Sequence, residues 1–302
     1  MTAAESVHLA WLSYDVIASP AVAARDAALL NASGTHCPRF TKWRAWCSEE
    51  NMRLTLNLLW ISWLMLAPST VLATELTRLE VQSLLASTPA GQAASFAGMS
   101  LSGADLHDLD FSNADLSGAD LSGADLRGAK FVGSKLIGAK LPGARLNLAW
   151  IIGADFSHAD LSGAYLETLV VSAGLQTRPH EAATFVGANL SGAKVTARFN
   201  LDDMRGANLS HLRASADMRN QSMGLIRTEF SQANLTDANF QGAALARVNF
   251  EFAKLSRANF SEADLSGANL TGADLTDADL TGANTTNTDF TNAVLRGTKG
   301  YQ

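Results

Sequence analysis

The stretch Ala114-Asp115-Leu116-Ser117-Gly118-Ala119-Asp120-Leu121-Ser122-Gly123-Ala124-Asp125-Leu126 decides how this chain is read. It repeats a five-residue unit: a small residue, a polar one, a large apolar one, then Ser-Gly. An α-helix would turn the leucines by about 140° at each step and scatter them around its surface. A strand would alternate them between two faces. A step of five therefore needs a backbone that corners every five residues, so that each leucine points to a common axis.

The same step extends in both directions. Large residues fall at Phe96, Leu101, Leu106 and Phe111 and continue through Leu161 and Leu166 to Val171. The step resumes from Leu225 through Phe230, Leu235 and Phe240 to Phe290 and Leu295, with Thr285 as a polar exception. Two residues before most of them stands a small residue, such as Ala104, Ala139 or Ser134. Its smallness is steric: a second bulky group on each edge would overpack the interior, at about 1–3 kcal/mol per insertion.

Ala-Asp-Leu-Ser-Gly at 119–123 and Ala-Asn-Leu-Thr-Gly at 268–272 resemble the pentapeptide-repeat family. The resemblance implies an all-β fold, a right-handed quadrilateral β-helix over residues 94–297, with the large residue and the preceding small one facing inward. Positions twenty apart then stack. Phe111, Phe131 and Ile151 form one interior column, and Phe230, Phe250, Leu270 and Phe290 another. Residues 96–295 amount to ten such coils, a rod of about 48 Å at ~4.8 Å per paired strand.

Outward positions stack as well. Asp115, Lys135 and Asp155 alternate in sign, as do Asp120, Lys140 and Asp160, which suits neighbours that would otherwise repel. Trp150 and Tyr165 break the polar rule at their outward positions and should cover Lys130 and Arg145. The register fails at about 172–184, between Val195 and Phe199, and again between Leu209 and Leu225, where Met204, Met218 and Met223 appear; the block 196–224 is thus a second interruption. Solenoids tolerate such local insertions because each coil touches only its neighbours. Trp150 and Tyr165, with Arg178, His180 and Glu181 of the first interruption, are the candidate interaction surface.

Ahead of the repeat, Thr77-Arg78-Leu79-Glu80 fits a capping box, Leu76 and Val81 a hydrophobic staple, and Pro89 a stop. Residues 74–93 are expected to be a short capping helix and linker. Residues 54–74 carry no charge, Pro68-Ser69-Thr70 breaks the apolar run, and Val71-Leu72-Ala73 supplies small residues for cleavage. Counted from Met52, residues 52–73 read as a signal peptide, and residues 1–51 as a non-native or disordered extension. Alternatively, 54–72 is a retained membrane anchor flanked by Arg39, Lys42, Arg44 and Arg53, or a buried soluble helix. The signal and anchor readings both put the repeat outside the cytoplasm, periplasmic or secreted, with membrane contact only if the anchor is kept.

Composition excludes several functions. Of 302 residues, 47% are apolar and 17% charged, too apolar for bulk disorder, and the net charge of −6 does not suit a nucleic-acid binder. Both cysteines, Cys37 and Cys47, precede the repeat, so no disulfide framework or cysteine-rich metal site is expected there. His107, His158, His180 and His211 lie at no metal-ligand spacing, and no nucleophile stands beside a base. No catalytic, cofactor or metal residues are expected.

The reading that follows is a non-enzymatic extracytoplasmic scaffold for an unidentified protein partner. Some pentapeptide-repeat proteins mimic duplex DNA and bind gyrase, which is the alternative that the resemblance implies. A 48 Å rod would need about 28 negative charges to match DNA, whereas residues 74–302 hold 24 acidic and 18 basic side chains. Residues 298–302 form a tail without a capping helix, so an end-to-end homodimer through the C-terminal coil is a further expectation.

Overall fold

The computed structural model describes residues 76–89, 91–173, 177–215 and 227–301. The expected extension, the signal or anchor segment, Met218, Met223 and Leu225 lie outside the described residues.

Each five-residue unit is a β-turn followed by one bridging residue. Ala119 N donates to Leu116 O at 3.0 Å, and Ala124 N to Leu121 O at 3.0 Å. The outward aspartate clamps the next turn: Asp120 Oδ1 accepts from Ser122 N at 3.0 Å. Asparagine does the same elsewhere, as when Asn208 Oδ1 accepts from Ser210 N at 3.2 Å. These are Asx-turns, in which a short polar side chain imitates backbone.

Between coils the pairing is parallel. Lys140 N donates to Ala119 O at 2.9 Å, and Leu121 N to Lys140 O at 2.6 Å. Such pairs, mostly between residues twenty apart, run along four faces of a right-handed β-helix. Face A begins Ser95–Asp115–Lys135, face B Ser100–Asp120–Lys140, face C Asp105–Asp125–Arg145 and face D Asp110–Lys130–Trp150. On face C two three-residue strands, β1 (Tyr165–Glu167) and β2 (Lys194–Thr196), pair parallel, with Leu166 opposite Val195.

Interior positions follow the sequence pattern. Leu116, Leu121 and Leu126 are fully buried with Ala119 and Ala124 between them. Phe111 stacks on Phe131 with ring centroids 5.5 Å apart, and Phe230 on Phe250 at 5.2 Å. A second column pairs Phe240 with Phe260 at 4.8 Å. Each buried Leu or Phe contributes about 1.5–3 kcal/mol before entropy is counted.

Face A has ten rungs: Ser95, Asp115, Lys135, Asp155, Thr184, Asp203, Asn234, Lys254, Asp274 and Val294. Nine steps separate them, about 43 Å at ~4.8 Å each. The expected ten coils are corrected to nine because residues counted as coil leave the helix as excursions. Asp155 pairs with Thr184, 29 residues on, and Asp203 with Asn234, 31 residues on. Between them one edge is a residue short: Thr184 pairs with Asp203, 19 on, which matches the step of four from Val195 to Phe199.

Helix α1 (Arg78–Ser87) precedes the first coil. Thr77 N donates to Glu80 Oε2 at 2.7 Å and Glu80 N to Thr77 Oγ1 at 3.4 Å, the two halves of a capping box. Val81 is completely buried, Leu76 N donates to Ser100 O at 3.4 Å, and Arg78 Nη2 donates to His107 O at 2.8 Å.

Corners carry positive φ, and their occupants point along the stack. Phe252 (φ 56) lies beneath Gly272 (φ 66), where an added Cβ would come within 2.4 Å of the phenyl ring. Leu121→Asp should cost more than about 4 kcal/mol by burying an unpaired charge. Gly272→Ala should cost about 1–3 kcal/mol from strain and clash, whereas Asp120→Asn should stay within about 0.5 kcal/mol because asparagine makes the same clamp. Thermal melts of the three variants check this ranking, and an unchanged melting temperature for Leu121→Asp contradicts it.

Candidate interaction site

The two excursions leave the helix on opposite edges of one face. The first spans Val170 on face D to Thr184 on face A, so it emerges at the D–A corner. The second spans Arg213 on face C to Glu229 on face D, at the C–D corner. Between them face D loses a rung: no bridge joins Val170 to Arg198 among the described residues, although Arg198 pairs upward with Glu229. A cleft of about 420 Å³ opens there, lined by Ser172, Thr177, Arg198, Asn200, Glu229 and Ser231.

Its polar groups are organised around one carboxylate. Glu229 Oε2 accepts from Asn200 Nδ2 at 3.2 Å and lies 3.6 Å from Arg198 Nε, and its Oε1 lies 3.8 Å from Arg227 Nε. Asn200 Oδ1 in turn accepts from Ser231 N at 3.0 Å, and Ser231 Oγ accepts from Asn249 Nδ2 at 2.7 Å. The Arg198 side chain remains 61% exposed.

The sequence candidates separate. Trp150 lies on face D above Lys130, whose Nζ is 5.7 Å from the ring centroid, and is 39% exposed. Tyr165 lies on face C above Arg145, around the corner from Trp150. Arg178 and His180 are exposed on the first excursion, at the D–A edge. Glu181 is not part of the surface: it is buried, with Oε2 accepting from Arg178 N at 2.9 Å and Oε1 from Ala173 N at 3.4 Å. Its carboxylate ties the two ends of the excursion together, and those backbone bonds hold its pKa below the usual carboxylate range.

Arg198, Asn200, Glu229 and Asp202 were not singled out from sequence. Asp202 occupies an inward position that elsewhere holds alanine, two residues before the buried Met204. Its Oδ1 accepts from Ala183 N at 2.9 Å, a donor whose usual turn partner is displaced by the excursion. Oδ2 has no partner, and burial pushes the carboxyl well above its ordinary pKa. Adjacent Asp203 faces out, and its bond with Arg205 lowers its pKa. Among the described residues no group of acidic, His and Cys side chains could hold a metal ion, and no helix is long and apolar enough to cross a membrane.

A parallel β-helix cornered every five residues, with one small and one large side chain inside each edge, defines a class of solenoid. Eight copies of the family described as pentapeptide repeats match residues 92–128, 129–167, 225–251, 245–282 and 273–299. The chain belongs to the pentapeptide-repeat family. No curated protein matches it significantly. Among solved structures it is similar to HetL of the cyanobacterium Nostoc sp., a pentapeptide repeat protein involved in heterocyst differentiation regulation, at 26% identity over 74% of this chain and 96% of that one, with a TM-score of 0.30. It is also similar to QnrB1, a plasmid-mediated fluoroquinolone resistance protein, at 22% identity over 68% and 89% of the two chains, TM-score 0.34. A pentapeptide repeat protein of the Arabidopsis thaliana thylakoid lumen matches at 31% identity over 40% and 72%, TM-score 0.19. The family assignment rests on the repeat match.

Asp202 gives a pH prediction. Its folded pKa is raised, so the folded state binds the proton more tightly and stability falls as pH climbs from the unfolded carboxyl range, about 4, towards the raised value. Wild type should therefore lose stability relative to Asp202→Asn as pH rises from 4 to 9 in chemical denaturation. A gap constant across that range contradicts the assignment.

Proposed function

We propose that this protein is a non-enzymatic, extracytoplasmic scaffold whose outer faces bind a protein partner. The observation that carries the reading is the filled interior: large side chains stacked coil on coil leave recognition to the surface. The cleft at Arg198 is polar and lies where two excursions flank a face, the usual place for function on a rigid scaffold. The uncharged, cleavage-like segment ahead of the repeat supports export. We read α1 as the cover of the first coil.

The gyrase-binding alternative draws less support. Aspartates on the faces clamp turns, and asparagine replaces them freely. On face B, Asn189, Asn208, Asn239 and Asn259 succeed Asp160 in one chain of amide hydrogen bonds, from 2.9 Å between Asn189 and Asp160 to 3.4 Å between Asn239 and Asn208. Asparagine carries no charge, so this face selects hydrogen bonding over negative potential. Lys135 and Lys140 interrupt the acidic runs on faces A and B, and a 43 Å rod would need about 25 charges to imitate duplex DNA.

The last coil leaves Phe290 and Leu295 half-buried, with Tyr301 edge-on to Phe290 at 5.1 Å. We read this end as the contact for a second copy, which light scattering on purified protein tests.

Fractionation, N-terminal sequencing of the exported form and affinity capture with it test the main reading together. The expected result is an extracytoplasmic protein beginning at Thr74 that retains a specific partner. A cytoplasmic protein that inhibits gyrase supercoiling contradicts it and supports the mimic.

A further inference from the structure

We propose that Asp202 is a proton-operated latch on the return limb of the first excursion, residues 178–184. With its proton the side chain keeps that limb closed under its own coil; without it the contact opens to water. The inward position that Asp202 fills on face A holds alanine in the coils on either side, Ala183 below and Ala233 above. The carboxyl is 1% exposed, and it reaches across the coil boundary, where Oδ1 accepts from Ala183 N at 2.9 Å. Oδ2 has no partner. An ionised carboxylate in that place would keep one hydrogen bond and no counter-ion, a costly state that hydration relieves. The neutral acid fits the closed contact.

The charged groups of the surrounding elements are engaged elsewhere. On its own strand, Asp203 pairs outward with Arg205 at 2.7 Å, and Arg198 lies 3.6 Å from Glu229 of the coil above, which also faces Arg227 at 3.8 Å. Asp237 of that upper coil is bonded to Arg257. On the limb, Arg178 and His180 are exposed, and Glu181 binds the backbone of Arg178 and Ala173. Burial, opposed by the Ala183 bond, therefore sets the protonation of Asp202. The limb is the side that yields. Above, Asn234 N donates to Asp202 O at 2.9 Å and Met204 N to Asn234 O at 2.8 Å, whereas below, Asp203 N reaches Ala183 O only at 3.3 Å. The neighbouring face lacks its Val170–Arg198 bridge among the described residues. Thr177, which leads into the limb, and Leu201, beside Asp202, both line the cleft, so the same proton governs that wall. The open, solvated carboxyl titrates near about 4, so each opening above that pH releases a proton, and opening grows by up to about tenfold per pH unit until the raised folded value is reached. Glu181 acts with the opposite sign: its folded pKa is lowered, so its grip on the excursion is lost only as pH falls through that value.

Amide hydrogen exchange on the full chain tests the latch. The reporters are Ala183 N and Asp203 N, the two amides that span the contact, and the references are Asp120 N and Lys140 N, which donate to Met99 O and Ala119 O in unbroken stack. With intrinsic exchange chemistry divided out, opening at the reporters should rise by at least about tenfold between pH 4.5 and 7.5, and the references should not follow. Asp202→Asn, which keeps an acceptor for Ala183 N without the charge, should flatten the rise. Asp202→Ala restores the residue that the repeat uses and should flatten it at Asp203 N as well. Glu181→Gln should loosen the limb across the whole range and keep the slope. A wild type without the rise, or a rise that survives in both Asp202 variants, overturns the proposal. Reporters and references losing protection together also overturn it, because the titration then unfolds the rod and works no latch.

Discussion

The interior cross-section governs this protein. Each edge of a coil has room for one large side chain and one small one, and the coil above must place its own pair directly over them. Leu121 with Ala119 and Leu141 with Ala139 meet that requirement on consecutive coils, all four fully buried. Backbone pairing follows, because coils stacked in register bring Lys140 N onto Ala119 O. No long strand or helix is needed to satisfy the main chain, since the neighbouring coil does so. The constraint also explains the corners: a side chain such as Phe252 can lie along the stack only if Gly272 stands above it.

Much of this was legible in the sequence because a step of five is incompatible with either common backbone period. The stacking of Phe111 on Phe131 and the placement of Trp150 over Lys130 both follow from adding twenty. The missing residue between Val195 and Phe199 was visible as a step of four. Less legible was where an excursion leaves the coil, which depends on which corner the interrupted count falls upon. The cleft at Arg198 arises because two interruptions, separated in sequence, flank one face. Asp202 could have been found by carrying the register from Phe199 to Met204, which puts a carboxyl where alanine belongs. Glu181 was misjudged because a charged residue in a loop reads as exposed, whereas this one binds the backbone of its own excursion.

The outward residues show how one fold separates structural polarity from functional polarity. Asp and Asn on faces A and B accept turn N–H groups and are interchangeable for that purpose. Arg198, Trp150 and Phe252 clamp no turn in this way, and the coil does not require them. Polar residues that the repeat requires say little about partners; residues that depart from the repeat are where specificity resides.

Cysteine pairing tests the stacking account most directly. With Cys37 and Cys47 changed to serine, Asn249→Cys with Asn269→Cys should form a disulfide, since adjacent parallel rungs lie within bonding distance. Across the first excursion, Asp155→Cys with Thr184→Cys, 29 residues apart in sequence, should also close. Failure of the Asp155–Thr184 pair to close while Asn249–Asn269 closes would contradict the register on which the cleft and the stacked interior both depend.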